Sequence, residues 1–202
     1  MSEQGLLVIF SGPSGSGKGT VLRSLLSGRG DITVSISATT RAPRPGERDG
    51  VDYFFRTQED FERMIREEQL LEYARYSGNY YGTPASFIRS QRDQGRHVLL
   101  EIEVQGALQV MERCPDAVSV FLVPPSMQEL EDRLRGRGTE TEDAIRRRLE
   151  AAHREISQMG RYQYVVVNDQ VEKAAEDLSS ILRAETRRFD RMKQIREEFA
   201  VC

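Results

Sequence analysis

The chain has 202 residues, of which 38% are hydrophobic and 30% are charged, and its formal net charge at pH 7 is -3. This length suits a single domain with a sizeable buried core. So small a net charge excludes a general electrostatic attraction to nucleic acid or to an anionic membrane, so any basic cluster must act locally.

The two cysteines, Cys114 and Cys202, and the two histidines, His97 and His153, do not have the spacing of metal ligands. A structural zinc site is therefore not expected, and free thiols in a reducing cytosol are the simpler interpretation. The sequence shows no basic start of a signal peptide and no run that approaches the ~18 apolar residues of a membrane span. We therefore expect a cytoplasmic protein.

The first predicted strand, residues 6–10, leads directly into a glycine-rich segment, SGPSGSGKGT at residues 11–20. Residues 20–26 then have the apolar spacing of a helix that Gly28 can end. A strand, a glycine-rich turn and a helix in this order point backbone N–H groups and the positive end of the helix at one anion. The segment therefore predicts a phosphate-binding loop, and the alternative is an ordinary strand-to-helix turn with an exposed lysine.

This loop departs from the usual pattern G-x-x-x-x-G-K-[ST] at one position. Gly19 follows Lys18, and the hydroxyl that would reach a magnesium ion comes one residue later, on Thr20. Lys18 remains in place to meet the β- and γ-phosphates of a nucleotide.

Three further apolar runs, residues 98–102, 118–123 and 164–167, predict buried strands that alternate with helices. This alternation indicates an α/β protein with a parallel sheet covered on both faces. Two insertions interrupt it, one from residue 37 to about 90 and an arginine-rich one from residue 129 to about 149. Such insertions often carry the parts of an α/β protein that bind substrate.

The first insertion opens with SATTRAPRPGE, residues 37–47. Its prolines hold the backbone extended around Arg44, so that Arg41 and Arg44 could converge on one phosphate, which the planar fork of arginine suits. The alternative is a solvated basic loop. Further along, Thr83 and Pro84 predict a helix cap followed by the first helical residue.

Glu101 and Glu103 stand two residues apart at the end of the predicted strand, so strand alternation would place both carboxylates on one face. The carboxyl ends of the strands border the ligand crevice of an open α/β sheet. Paired acids there suit a hydrated magnesium ion. The alternative is that they mark the point where the strand leaves the core.

The sequence of the second insertion predicts two helices joined by a short segment in which an arginine lies between two glycines. Arg133 and Arg137 are four residues apart and share a helix face if the first helix continues that far, and Thr139 with Glu142 matches a capping box at the start of the second. Such a unit could close over phosphates as a lid, or it could be an ordinary charged hairpin. Residues 185–199 near the end of the chain predict a solvated helix.

Together these stretches resemble the guanylate kinase family, over about residues 6–184. The motifs that carry the resemblance are SGPSGSGKGT at residues 11–20, the run at residues 37–47, YSGNYYG at residues 76–82 and RLRGRGTE at residues 133–140. A glycine directly after the lysine, with threonine next, is a known form of the loop in nucleoside monophosphate kinases. The resemblance therefore favours a working phosphate loop in which Thr20 serves the phosphate and magnesium side.

The resemblance implies a P-loop three-layer α/β fold with a parallel central sheet, a GMP-binding insertion and a lid. The whole chain, residues 1–202, would form one such domain. Its parts would be a core of residues 5–36, 91–125 and 160–202, a GMP-binding region of residues 37–90 and a lid of residues 126–159.

The resemblance also implies roles for individual residues. On the ATP side these are Gly12, Pro13, Ser14, Gly15, Ser16, Gly17, Lys18, Gly19, Thr20, Arg133, Asn168 and Asp169. On the GMP side they are Ser37, Arg41, Arg44, Tyr53, Glu72, Tyr81, Thr83 and Glu103. The residues around the migrating phosphoryl group would be Lys18, Arg44, Arg137 and Arg148. Thr20 and Glu101 would approach the magnesium ion, but the family usually has aspartates where Glu101 and Glu103 stand, which leaves open which glutamate serves the metal.

The function that the resemblance implies is reversible transfer of the γ-phosphate of ATP to GMP or dGMP, with magnesium. One alternative is a non-catalytic guanylate kinase-like module that binds phosphorylated peptide, which would lack the complete loop and the lid arginines. Another is a kinase for a different small phosphorylated acceptor, against which Glu72, Arg41 and Arg44 argue. No nucleic acid or membrane partner is expected, and the oligomeric state stays open.

Overall fold

The computed structural model describes residues 4–76, 78–136 and 141–199. The strands are β1 (Leu7–Ser11), β2 (Ile32–Val34), β3 (Ala38–Thr39), β4 (Phe54–Phe55), β5 (Leu70–Tyr76), β6 (Asn79–Pro84), β7 (His97–Glu101), β8 (Val118–Val123) and β9 (Tyr164–Val167). The helices are α1 (Lys18–Leu26), α2 (Gln58–Arg66), α3 (Ala85–Asp93), α4 (Val104–Arg113), α5 (Met127–Arg135), α6 (Glu142–Ile156), α7 (Val171–Glu185) and α8 (Lys193–Glu198). Short 3-10 helices occupy Met159–Arg161 and Phe189–Arg191.

The central sheet is parallel, with the strand order β2-β7-β1-β8-β9. Every residue of β1 is buried, because its side chains enter a core on each face of the sheet. On one face Val8 and Phe10 pack with residues of α1 and α7, and on the other Leu7 and Ile9 pack with residues of α4. This arrangement confirms the predicted three-layer α/β fold with a parallel sheet.

The first insertion forms a second, mixed sheet with the order β4-β3-β6-β5. Its longest strands, β5 and β6, pair antiparallel, and their register shifts between Leu70 and Tyr73. Helix α2 covers this sheet through the buried Phe61, whose ring stacks on Tyr80 with centroids 5.2 Å apart. The first insertion therefore forms a small sheet of its own, separate from the central sheet.

Two local predictions near the site are wrong. Strand β7 ends at Glu101 and Glu103 is the N-cap of α4, so strand alternation does not align the two carboxylates. The N-cap position of α3 is occupied by Pro84, without a side-chain capping bond, and not by Thr83, whose hydroxyl donates to the buried Glu72. A tertiary partner outcompetes the local role in the second case.

Two predictions outside the sheets are also corrected. The side chain that caps α6 is Thr141, which accepts from the backbone N–H of Ala144, so the capping box predicted from Thr139 is wrong. Thr139 and Arg137 lie outside the described residues. The segment after α7 is not one helix, because it forms a 3-10 turn and then the short α8.

Candidate active site

The predicted phosphate-binding loop joins β1 to α1 and has glycines at two positions where an added side chain would collide with neighbouring atoms. Gly12 has φ 151° and Gly17 has φ 93°, in the region that favours glycine. A Cβ on Gly12 would lie 2.2 Å from the carbonyl oxygen of Leu122, and one on Gly17 would lie 2.3 Å from Asn168 Nδ2. The loop backbone therefore passes close to the neighbouring strand and to Asn168, with the start of α1 behind it.

Lys18 is folded onto the loop. Its Nζ donates to the carbonyl oxygens of Gly12, at 2.6 Å, and Pro13, at 3.2 Å. Burial lowers the pKa of this ammonium group, and the charges of Glu101, Glu155 and Glu103 act in the opposite direction. The cation is thus held at the loop, with three carboxylates close enough to act on its charge.

Two of the three predicted ATP-side residues outside the loop, Arg133 and Asn168, are linked to it by hydrogen bonds. The buried Asn168 donates from Nδ2 to the carbonyl oxygen of Ser16 at 2.7 Å. Arg133 donates from Nη2 to the carbonyl oxygen of Asn168 at 2.9 Å and from Nε to Glu129 at 2.8 Å. Asp169 follows at the surface. One chain of hydrogen bonds therefore links α5, the end of β9 and the loop.

The two predicted magnesium ligands lie beside the same loop. The Thr20 hydroxyl accepts from Arg23 Nη2 at 3.1 Å. Glu101 Oε1 lies 3.9 Å from the position of a Cβ on Gly19. Among the described residues no group of three or more His, Cys, Asp or Glu could hold a metal by itself. A hydroxyl and one carboxylate nevertheless fit magnesium that arrives with nucleotide, since this ion is usually held by one or two carboxylates and substrate phosphates.

A pocket of about 340 Å³ opens between the second sheet and the end of β7, and it brings together most of the predicted GMP-side residues. Its lining includes Ser37, Tyr53, Glu72, Ala74, Tyr76, Tyr81, Gly82, Glu101, Ile102, Glu103, Gln105 and Gly106. A larger and more open depression of about 710 Å³ lies between α2 and α3, but its lining includes none of the residues predicted for the site.

Glu72 is a buried acid in this pocket. Only 6% of the residue is exposed, and its Oε1 accepts from the Thr83 hydroxyl at 2.7 Å. Burial raises the pKa of the Glu72 carboxyl; the Thr83 hydrogen bond opposes this shift, and the charge of Glu103 adds to it. A buried carboxyl that faces a pocket is a candidate for ligand recognition.

The two predicted phosphate-binding arginines differ in their surroundings. Arg41 pairs with Glu47 at 2.8 Å, and its guanidinium lies 5.3 Å from the centroid of the Tyr53 ring. Glu47 also accepts from the backbone N–H of Arg44 at 2.7 Å, while Arg44 itself is exposed. Glu47 thus orders the loop that carries both arginines, a role that we did not predict although this residue ends the run SATTRAPRPGE.

The predicted lid has a small core of its own. Leu130 and Leu134 of α5 pack against Ile145 and Ala152 of α6. Arg148 lies on α6 and is partly buried, whereas Arg137 is outside the described residues.

Glu155, also on α6, is a residue that sequence reasoning missed. Burial and then the charge of Glu103 raise its pKa, and Lys18 and the backbone N–H of Ser14 lower it. A single glutamate on a charged helix gives no sequence signal of this proximity.

Two features define the class of protein. A glycine-rich loop between a central parallel strand and the start of a helix, with a pocket beside it, is typical of a P-loop nucleotide kinase. The guanylate kinase family model matches residues 4–185. The chain therefore belongs to the guanylate kinase family.

Individual relatives agree with this. The chain is 55% identical over 192 residues to the guanylate kinase of Lactococcus lactis subsp. lactis, covering 95% of this chain and 94% of that one. It is 56% identical over 193 residues to the guanylate kinase of Streptococcus agalactiae serotype III, covering 95% and 92%. The crystal structure of guanylate kinase from Anaplasma phagocytophilum matches with a TM-score of 0.75 at 37% identity, covering 97% of this chain and 95% of that one.

These findings confirm the family resemblance and support a catalytic nucleotide kinase over a non-catalytic module. Among the described residues, none of the helices has the length and apolar character needed to cross a bilayer.

Proposed function

We propose that this chain transfers the γ-phosphoryl group of ATP to GMP or dGMP, reversibly, to give ADP and GDP or dGDP. The observation that carries the proposal is the buried Glu72, hydrogen-bonded to Thr83, in a pocket that also contains Glu101 and Glu103. The charges of these two glutamates act on Lys18 of the phosphate loop. An acceptor in this pocket would therefore lie next to the donor phosphates.

Glu72 would read the acceptor base. Guanine presents two adjacent donors, N1–H and the 2-amino group, which a carboxylate can accept as a pair, whereas adenine presents a bare N1 acceptor at that edge. Thr83 occupies one lone pair of Oε1 and thereby orients the group. A buried acceptor of this kind discriminates strongly, because the wrong base leaves it unpaired.

The acceptor phosphate would be bound by side chains of the first insertion. Arg41 is already oriented by Glu47 and Tyr53, so it needs little ordering when a phosphate arrives. Arg44 and Tyr81 complete this group in our proposal, and Ser37 lines the same pocket. Residues 37–90 would thus form the GMP-binding region.

The donor phosphates would lie in the loop from Gly12 to Thr20, on the backbone N–H groups at the start of α1. Lys18 would exchange its two carbonyl partners for phosphate oxygens. Thr20 and Glu101 would hold a magnesium ion, directly or through water, and the ion would supply positive charge that offsets the charge of the phosphates. Arg133, Asn168 and Asp169 would lie on the adenine side.

The transfer step asks the protein for alignment and charge rather than for covalent chemistry. Residues 126–159 would close as a lid, bring Arg137 and Arg148 to the moving phosphoryl group and exclude water that would hydrolyse ATP. No general base is required.

A panel of acceptors tests the proposal. The purified protein is given ATP and magnesium with GMP, dGMP, AMP, CMP or UMP, and ADP formation is followed by a coupled assay. We expect GMP and dGMP to be used far better than the others. A preference for another nucleotide would refute the assignment of the acceptor.

A further inference from the structure

Strand β5, which carries Glu72, lies at the edge of the second sheet and is irregular at that residue. Leu70 pairs with Pro84 but Tyr73 pairs with Gly82, so β5 has one more residue than β6 between these pairs. Such a bulge redirects a side chain and is common beside active sites. The direction of Glu72 therefore depends on how the bulge is held.

Helix α4 holds the outer edge of this bulge on both sides of Glu72. Gln109 forms a two-way amide contact with Tyr73: its Oε1 accepts from the Tyr73 N–H at 3.4 Å, and its Nε2 donates to the Tyr73 carbonyl at 3.2 Å. Arg113 Nη1 donates to the carbonyl oxygens of Leu70, at 2.9 Å, and Leu71, at 3.2 Å. These side chains bond to backbone groups that an edge strand would otherwise leave to solvent.

The same helix closes around the carboxylate itself. A Cβ on Gly106 would lie 2.7 Å from Glu72 Oε2, so the carboxylate rests directly against α4. The N-cap residue of this helix is Glu103, which lies in the acceptor pocket. A single rigid element thus connects the end of β7 to the bulge that carries Glu72.

We infer that Gln109 and Arg113 are positioning residues that set the acceptor-base preference by fixing the β5 bulge, and hence the orientation of Glu72. Neither is among the residues that line the acceptor pocket. The inference rests on the proposed role of Glu72. It predicts that loosening α4 from β5 weakens selection of the base while phosphate transfer from ATP continues.

The principal test is a double-mutant cycle between Gln109→Leu and Glu72→Gln. kcat and KM are measured for GMP and AMP, together with KM for ATP and thermal unfolding. Loss of the two amide contacts should raise KM for GMP and lower the GMP-to-AMP preference, each by about tenfold. KM for ATP should change less than about twofold, and in the Glu72→Gln background the effect on GMP should nearly disappear.

Two kinds of control accompany this cycle. Glu112→Gln changes a neighbouring α4 residue whose side chain is 74% exposed, and it should leave every parameter unchanged. If Gln109→Leu does not fold, Arg113→Met and Arg113→Lys replace it. Lysine can still donate to the two carbonyls, so it should retain most of the preference that methionine loses.

The outcomes distinguish failure of this inference from failure of the proposed function. A folded Gln109→Leu or Arg113→Met enzyme with unchanged base preference overturns the inference, and so does an equal loss in the Glu72→Gln background. If Glu72→Gln alone leaves the preference unchanged, the proposed base reading fails and the inference fails with it.

Discussion

A buried carboxylate such as Glu72 lowers the stability of the fold at neutral pH. Because burial raises its pKa, the folded protein holds this proton to a higher pH than the unfolded chain does. With respect to this group, the fold therefore has its full stability below the unfolded pKa of the carboxyl, about 4.3. It loses stability as the pH rises through the raised pKa of the folded state, where the buried group must ionise. A buried acid that destabilises the fold at neutral pH is a candidate for a functional role.

Glu72→Gln should consequently change activity and stability in opposite directions. The amide keeps the shape of the side chain but removes its charge. The fall in kcat/KM for GMP should correspond to a loss of about 1–3 kcal/mol of transition-state stabilisation, and the ratio of GMP to AMP activity should decrease. Thermal unfolding should show a stabilised variant at pH 8 and a shrinking difference as the pH falls to about 4. An unchanged base preference in the folded variant would show that Glu72 does not read the base.

Lys18 provides the second prediction at this scale. Lys18→Ala removes a partly buried cation that the loop carbonyls bind, so the fold should persist. We expect kcat to fall by roughly 100-fold or more, because the phosphate charge loses its counter-charge during transfer. Steady-state kinetics and thermal unfolding check both parts. Lys173→Ala, at an exposed position on α7, is the matched control. Near-wild-type turnover would refute the phosphate-loop assignment.

Among the elements, helix α4 contains Gly106, whose substitution should affect the stability of the helix and the binding of GMP in opposite directions. Gly106→Ala should favour the helix, by up to about 1 kcal/mol, yet its Cβ would meet Glu72 Oε2 at 2.7 Å and displace the carboxylate. We expect a folded enzyme whose KM for GMP is raised while its KM for ATP is unchanged. Gly30→Ala, with no atom within 4 Å of the added Cβ, is the control. A Gly106→Ala enzyme with wild-type KM for GMP would contradict this placement of Glu72.

The elements that sequence reasoning found are those with a strong local pattern. Apolar runs predicted β1, β7, β8 and β9 of the central sheet but not the three-residue β2, and the glycine-rich segment predicted the loop between β1 and α1. Contacts that depend on distant parts of the chain were missed, such as Gln109 on the edge of β5 and Glu155 beside Lys18. Thr83 shows why: its local pattern predicts a cap, but a buried acid eleven residues away takes its hydroxyl.

At the scale of the whole molecule, the arginines proposed for phosphate binding come from two separate segments. Arg41 lies just after β3 of the second sheet and is paired with Glu47. Its guanidinium is therefore oriented before any nucleotide binds. Arg137 belongs to residues 126–159, which we propose to form a lid. A contact made only on closure should act mainly in the transition state, and one already in place should act in the ground state as well.

Alanine variants of these two arginines should therefore differ in whether phosphoryl transfer or GMP binding is affected more. Arg137→Ala should lower the single-turnover rate more than it weakens GMP binding, and Arg41→Ala should do the reverse. Calorimetric binding of GMP and rapid-quench kinetics provide the two measurements. Arg146→Ala is the control, since this α6 side chain is 72% exposed and pairs with Asp143 at 3.1 Å. The same profile for Arg137→Ala and Arg41→Ala would refute this division, because both arginines would then bind the phosphates alike in the ground state and in the transition state.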